Sequence, residues 1–299
     1  MSKKILILTG GPINKLVDFE FAAKDFDLNV DLSSFSDLVF ANKSSEAVFK
    51  LSINGRDLKE YDLIYIRMVG KRLEDASLVV NYAKENNIPL VDRVYEKSLF
   101  LPSTISKAVE MKKLISQGIP LPDSIYGSLA KIGKMAFNQL GVPFVLKSTS
   151  GRKARDTWLI DSENTYSELF PDLREREKTG TKFFGQKMVK ASQRIRILVV
   201  GGKVLGAITR PTKWRKMVSD EVEGKKEAID PVPQKYSDLA IKAANAAELD
   251  ICGVDILAED KSGDLYILEA NAAPSWKMIK KDCGIEVERE ILEYLENII

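Results

Sequence analysis

Three oxygen-bearing side chains, Asp255, Glu269 and Asn271, stand in two short apolar runs joined by a polar turn. The runs are Gly253-Val-Asp-Ile-Leu257 and Ile267-Leu-Glu-Ala-Asn271, and Glu259-Asp-Lys-Ser-Gly-Asp264 lies between them. Strand alternation places Gly253, Asp255 and Leu257 on one face, and Ile267, Glu269 and Asn271 on one face. A hairpin symmetric about Ser262 sets Asp255 directly opposite Glu269. Two carboxylates facing each other on an apolar sheet repel and lose hydration. A divalent cation relieves both costs. Two carboxylates and an amide oxygen are hard donors that suit Mg2+, with water and phosphate oxygens completing the shell. Single acids beside hairpin turns are ordinarily solvated. Here Val254, Ile256 and Ala258 on one side, and Leu257, Leu265 and Ile267 on the other, argue for burial, and buried acids need a partner.

Composition narrows the chemistry. The chain of 299 residues contains no histidine, which removes imidazole bases, histidine metal sites and Ser-His-Asp or Cys-His catalysis. Proton transfer must then use carboxylates, Lys, Tyr, water or the substrate, so chemistry driven by positioning and charge is favoured. Basic and acidic residues nearly balance, 45 against 43, which singles out neither nucleic acid nor a membrane as partner. No apolar run is long enough to span a bilayer, and Lys3 and Lys4 lead straight into a short strand rather than a signal peptide. Two cysteines, Cys252 and Cys283, make neither a disulfide framework nor a zinc motif, and the expected location is cytoplasmic. Nothing reports the oligomeric state.

The elements that must position the acid pair follow from periodicity. Strands are expected at residues 4–8, 63–67 and 89–91, with a helix over residues 73–86, giving a small α/β domain over residues 1–95. Gly10-Gly11 after the first strand lacks the third glycine of a dinucleotide fingerprint. A helix over residues 104–117 is capped by Ser103 or Thr104 and ended by Gly118, and Pro120 and Pro122 keep the next segment extended. Residues 144–147 and 157–160 read as a hairpin, and residues 173–182 as a charged, solvated connection. Residues 194–210 form a second hairpin turned by Gly201-Gly202. Residues 213–228 read as a basic mobile loop. Helices over residues 236–249 and 287–298 lead into the acid hairpin and close the chain. Arg67, Met68 and Gly70, at the end of a strand, suit either substrate contact or packing.

These elements, in this order, resemble the ATP-grasp superfamily, and within it the RimK-like amino-acid and peptide ligases. The resemblance spans about residues 60 to 275. It rests on Ser106-Lys107 and Leu114-Ile-Ser-Gln-Gly-Ile-Pro-Leu-Pro122, on Phe144-Val-Leu-Lys147, on Gln186-Lys-Met-Val189, on Ile195-Arg196 through Arg210, and on the acid hairpin. It implies a mixed α/β chain: two α+β subdomains clamping ATP, residues 96–184 and 185–299, preceded by the small Rossmann-like N-terminal domain, residues 1–95. Lys107 and Lys147 match the lysines that hold ATP, and Gln186, Lys187, Met188 and Val189 match the hinge that reads adenine through its backbone. Arg215 matches a nucleotide-contacting arginine in a closing loop. Asp255, Glu269 and Asn271 match ligands to Mg2+ or Mn2+. Arg196 and Arg210, near opposite ends of the Gly-Gly hairpin, match the catalytic arginines that face the transferred phosphoryl or the substrate. Guanidinium suits that task because it stays charged and bidentate. The implied reaction is ATP-dependent ligation of an amino-acid or peptide carboxylate to an amine through an acyl-phosphate, on a small amino acid, a peptide or a protein terminus.

The chain departs from the pattern in places. The loop over residues 150–156 carries one glycine, Gly151, where relatives carry several, and adds Arg152, Lys153 and Arg155. Lys187 and Arg194 replace acids, and Met217 replaces an asparagine. These changes leave open a second reading, a nucleotide-binding regulator that keeps the fold without ligation. A third, nucleic-acid binding through the basic loops, predicts affinity at low salt.

Overall fold

Strands that are apolar on both faces belong at the centre of parallel sheets, and the two such runs in the first third of the chain lie side by side. In the computed structural model, which describes residues 2–41, 50–97, 107–149, 156–211 and 227–299, β1 (Lys3–Thr9), β2 (Leu28–Ser34), β6 (Leu63–Met68) and β7 (Leu90–Val91) form a parallel sheet in the order β2-β1-β6-β7. The helices Val17–Ala22 and Leu73–Glu85 cover opposite faces of it, Phe19 packing with Ile5 and Ile7, Ala76 and Val79 with Leu6 and Leu8. Between β2 and β6 a small antiparallel sheet of β3 (Leu38–Ala41), β4 (Lys50–Ile53) and β5 (Arg56–Asp57) is inserted. Sequence reading finds β1, β6, β7 and the helix after β6, but not β2, whose mixed Leu-Asn-Val-Asp pattern is that of an edge strand.

The middle of the chain builds an antiparallel sheet from β8 (Ser124–Gly127), β9 (Phe144–Ser148), β10 (Thr157–Ile160) and β11 (Phe183–Lys187), ordered β10-β9-β11-β8. The expected hairpin of residues 144–147 and 157–160 is the β9–β10 pair, with Lys147 opposite Thr157. The helices Leu129–Gln139 and Glu163–Lys178 back this sheet, and Ser128 and Ser162 cap them by accepting the N–H of Lys131 and of Thr165. Residues 173–178 are thus helical, not the solvated connection expected for residues 173–182. Arg174, Glu175 and Lys178 lie on the outer face and Glu177 turns in to accept the N–H of Leu129 at 2.8 Å, while Leu173, 3% exposed, enters a core with Leu129, Ile132, Phe144 and Phe183. Leu173→Ala is therefore expected to destabilise the protein by about 2–5 kcal/mol in denaturant unfolding. Glu175→Ala, on the solvated side, is expected to stay within about 0.5 kcal/mol.

The last third forms a second antiparallel sheet, β13-β12-β14-β15, from β12 (Gln193–Val200), β13 (Lys203–Pro211), β14 (Ile251–Ala258) and β15 (Leu265–Asn271). Gly201 and Gly202 turn β12 into β13 with φ of 55° and 77°, a conformation glycine adopts freely. The helix Gln234–Ala247 packs on one face through Ala240, Ala243, Ala244 and Ala247. The helices Lys277–Cys283 and Val287–Asn297 cover part of the other through Ile279, Ile291 and Leu295. Lys277–Cys283 is a helix that sequence reading does not find.

The N-terminal sheet is tied to this C-terminal sheet by polar contacts as well as by a shared core. Asp92, fully buried, accepts the N–H groups of Asp250 and Ile251 at 2.7 and 2.8 Å. Arg93 donates to Asp250 at 2.7 Å. Arg67 donates to the carbonyl of Pro274 at 2.5 Å and lies 4.0 Å over the ring of Trp276. None of the described helices is long and apolar enough to cross a membrane. The Ser103 or Thr104 cap, the loop residues 150–155, and residues 213–226 of the basic loop lie outside the described residues.

Candidate active site

Asp255 and Glu269 are opposed on β14 and β15, in the expected register, and Gly253 opposes Asn271. Beyond Asp255 the register steps by one: Ile256 pairs with Ile267, and Leu257 with Tyr266. Leu268 is the extra residue of a β-bulge, a device that re-aims side chains next to functional sites. The step corrects one expectation. Ile267 does not share a face with Glu269; it points with Val254 and Ile256 into the apolar core, and Leu265 packs against that same core. The acid-bearing face is left to Asp255, Glu269 and Asn271.

The neighbouring strands add cations to this face. Arg196 on β12 stands opposite Asp255, and Arg194, two residues away, stands opposite Arg210 on β13. Arg196 and Arg210 sit far apart along the hairpin sequence, but the fold-back brings both to its open end. Arg196 grips Asp255 with both arms of its guanidinium, Nη2 at 2.7 Å from Oδ2 and Nε on Oδ1. Its Nη2 also lies 3.6 Å from Glu269, and Arg194 lies 3.8 Å from Asp255. Asp255 is 1% exposed and Glu269 29%.

A helix completes the cluster. Lys107, at the start of the helix Lys107–Ser116, places Nζ 3.0 Å from Glu269 and 2.9 Å from Glu110. Burial opposes the lysine's charge, but Glu110 and Glu269 more than offset it, so its pKa stands above the ordinary value. The ammonium of Lys107 in turn holds the carboxyl of Glu269 down at about 2, with Arg196 adding to the effect.

Across from this face the central sheet contributes Lys147 on β9 and Gln186 on β11. Lys147 donates to Gln186 Oε1 at 2.6 Å, and Gln186, 3% exposed, donates to Ser124 at 3.0 Å. Burial lowers the pKa of Lys147 to about 8, partly restored by attraction to Glu269. That the lysine feels Glu269, Lys107, Arg194 and Asp255 places it in the same electrostatic site as the acid hairpin. Lys187 is exposed, with its N–H donated to Asp123 O at 2.8 Å; Met188 is half-buried and Val189 buried. Arg215 lies outside the described residues.

Arg210 has no acid within ion-pairing distance among the described residues. Its Nη2 meets Met278 Sδ at 3.6 Å, and its buried Nε has no hydrogen-bond partner. Burial and the like charge of Arg196 both lower its pKa. A guanidinium held without a counter-ion is a ready anion site.

The donor chemistry fits a divalent cation. Three hard oxygens lie on one face of two adjacent strands, and the positive charge that two opposed acids demand is supplied by Lys107 and Arg196. Each carboxylate oxygen has a second lone pair beyond those contacts. Asn271 Oδ1 accepts the N–H of Ala273 at 3.0 Å, which fixes the orientation of the amide. Sequence reading misses Glu110, although its three-residue spacing from Lys107 is a helical ion-pair signal. It also misses Ser124 and Asp92, whose partners are distant in the chain.

Comparisons with known proteins identify the family and the fold. A family model described as a RimK-like ATP-grasp domain matches residues 104–295. The human protein N-acetylaspartylglutamate synthase A is 27% identical over 257 residues, covering 83% of this chain and 63% of that protein. Ribosomal protein bS6--L-glutamate ligase of Escherichia coli O81 (strain ED1a) is 28% identical, covering 67% of this chain and 66% of that protein. The chain spans 51 to 63% of the length of the first curated relatives it matches. Among solved structures, the ATP-grasp ligase PsnB complexed with minimal precursor aligns over 99% of both chains with a TM-score of 0.72 at 16% identity. The same ligase complexed with a phosphomimetic variant of that precursor, Mg and ADP aligns with a TM-score of 0.70, also at 16% identity and over 99% of both chains. The shared fold is the ATP-grasp fold, and with the match over residues 104–295 the chain belongs to the RimK-like ATP-grasp domain family.

Proposed function

We propose that the protein is an ATP-dependent carboxylate–amine ligase whose substrates are an amino acid, a peptide or a protein terminus. The observation that carries this reading is the opposed pair Asp255 and Glu269, flanked by Lys107 and Arg196 and faced by Lys147 from another sheet. Such a site gathers positive charge around a hard-oxygen cradle, which is what phosphoryl transfer requires. ATP lies between the central and C-terminal units, the boundary of which we place after β11 because that strand, spanning residue 184, pairs within the central sheet. Free thiols at Cys252 and Cys283 suit a cytoplasmic location.

The reaction has two steps. The γ-phosphoryl of ATP passes to an oxygen of the substrate carboxylate, the bond to the β-phosphate oxygen breaks, and ADP leaves. The amine nitrogen then attacks the acyl carbon, phosphate leaves, and the proton of the amine goes to phosphate or water. Asp255, Glu269 and Asn271 are the groups that hold Mg2+ or Mn2+, which supplies charge neutralisation for the phosphates when bound. Lys147 and Lys107 hold phosphate oxygens, and Gln186 fixes the direction of Lys147. Residues 186–189 offer backbone to adenine. Arg196 and Arg210 face the transferred phosphoryl. No histidine base is required, because phosphate or water takes the proton.

The pKa of Lys147 gives this reading a test with a definite sign. In the free protein the lysine is about half-charged near pH 8. Phosphate oxygens favour the charged form and raise its pKa. Nucleotide binding is therefore expected to take up protons between pH 8 and about 10, and none near pH 6.5, where the lysine is already charged. Calorimetry in buffers of different ionisation enthalpy measures this uptake, and Lys147→Met is expected to abolish it.

The activity itself is tested by incubating the protein with Mg-ATP and a panel of amino acids and peptides. Acceptor-stimulated release of phosphate, and trapping of an acyl-phosphate as a hydroxamate by hydroxylamine, are the expected results. Nucleotide binding without stimulated release across the panel favours the regulator reading instead.

A further inference from the structure

Glu110 takes no part in the reaction above, yet it touches two of its components. It lies one turn along the helix from Lys107. Its Oε2 accepts from Lys107 Nζ at 2.9 Å, and its Oε1 accepts the backbone N–H of Ala270 at 2.7 Å. Ala270 stands between Glu269 and Asn271 on β15. The same ammonium lies 3.0 Å from Glu269. One lysine is thus shared by two carboxylates, and the carboxylate behind it also grips the strand between two of the oxygen donors. The side chain of Glu110 is 14% exposed, so these contacts are poorly screened by water.

Resting on the metal reading of Asp255, Glu269 and Asn271, we propose that Glu110 is a positioning residue that draws Lys107 off Glu269 and so lets a divalent cation take that carboxylate. Lys107 and the cation compete for the same oxygens. With two acids to choose from, the lysine yields Glu269 while keeping a charged partner. With Glu110 neutral, Glu269 becomes its sole acid, and the site gains one unit of positive charge. Both changes oppose cation binding. The bond to Ala270 acts separately, by fixing the strand between Glu269 and Asn271.

Glu110→Gln separates these parts, because glutamine keeps the size and an Oε1 acceptor for Ala270 but loses the charge. The probe is Mn2+ alone, without nucleotide, with free Mn2+ read by electron paramagnetic resonance. Mn2+ binding is expected to weaken roughly tenfold, with nucleotide affinity in the absence of metal and thermal stability close to those of the parent. In a Lys107→Met background, which removes the competitor, the same substitution is expected to cost less than about threefold. Lys107→Met alone is expected to tighten Mn2+ binding, an arm that does not depend on how Glu110→Gln folds. Parent-like Mn2+ binding by Glu110→Gln, an undiminished loss without Lys107, or weaker Mn2+ binding by Lys107→Met alone would each overturn the proposal. Glu269→Gln serves as the control for the reading beneath it. If that variant binds Mn2+ like the parent, the metal reading fails; if it loses Mn2+ while Glu110→Gln does not, only the role of Glu110 fails.

Discussion

Glu269→Gln is expected to lower acceptor-dependent ADP formation by at least about a thousandfold, because it removes one charged oxygen donor from the centre of the proposed phosphoryl-transfer site. The fold is expected to survive. Lys107 retains Glu110 at 2.9 Å, and Arg196 retains its two-armed contact with Asp255, so neither cation that pairs with Glu269 is left without a counter-ion. The measurement is a coupled ADP assay, with circular dichroism to establish that the variant is folded. Asp255→Asn is the poorer test. It replaces the two-armed partner of Arg196, 8% exposed, by a neutral amide and leaves only Glu269 at 3.6 Å, and breaking such a buried pair costs about 3–5 kcal/mol of stability. Lost activity there would not separate chemistry from unfolding.

Arg210→Met is expected to move activity and stability in opposite directions. The guanidinium has no acid partner among the described residues, its Nε is buried without a hydrogen bond, and Arg196 and Arg194 add like charge. Holding such a group in place costs folding free energy, and anion-binding sites are commonly maintained against that cost. Methionine packs against Met278 and removes the repulsion. Thermal unfolding of the ligand-free variant is therefore expected at a higher temperature than that of the parent. Turnover is expected to fall roughly a hundredfold, as for loss of one donor aimed at developing charge, with kcat affected more than the KM for ATP. A drop in both stability and activity would mean that Arg210 is a packing residue.

The acid hairpin was the most legible part of the chain because its signal is local. Period-two alternation, a Gly-containing turn and two acids at mirror positions put Asp255 opposite Glu269 without tertiary information. The bulge at Leu268 was not legible, since an apolar residue among apolar neighbours marks no break in register. The same locality explains the Gly201-Gly202 hairpin. That hairpin sets Arg194 opposite Arg210 and brings Arg196 and Arg210 to the same open end.

Helices were harder to read where their charged faces dominate. Residues 173–178 carry five charged residues after Leu173, and one inward leucine does not announce a helix. Glu110 was hidden for a related reason. An acid three residues from a lysine reads as a surface ion pair, and only the approach of β15 turns it into a buried contact with Ala270. Residues 186–189 offer backbone rather than side chains, which leaves little mark on sequence. The Gln186 side chain is the exception, and its role in aiming Lys147 needed the β9–β11 pairing to be seen.

A crystal structure with Mg2+ and a non-hydrolysable ATP analogue tests the central claim most directly. The account predicts a metal ion at about 2.1 Å from carboxylate oxygens of Asp255 and Glu269, bridging to the phosphates, with Lys107 withdrawn towards Glu110. Carboxylates still closed on Arg196 and Lys107, with nucleotide and metal bound elsewhere, would contradict it.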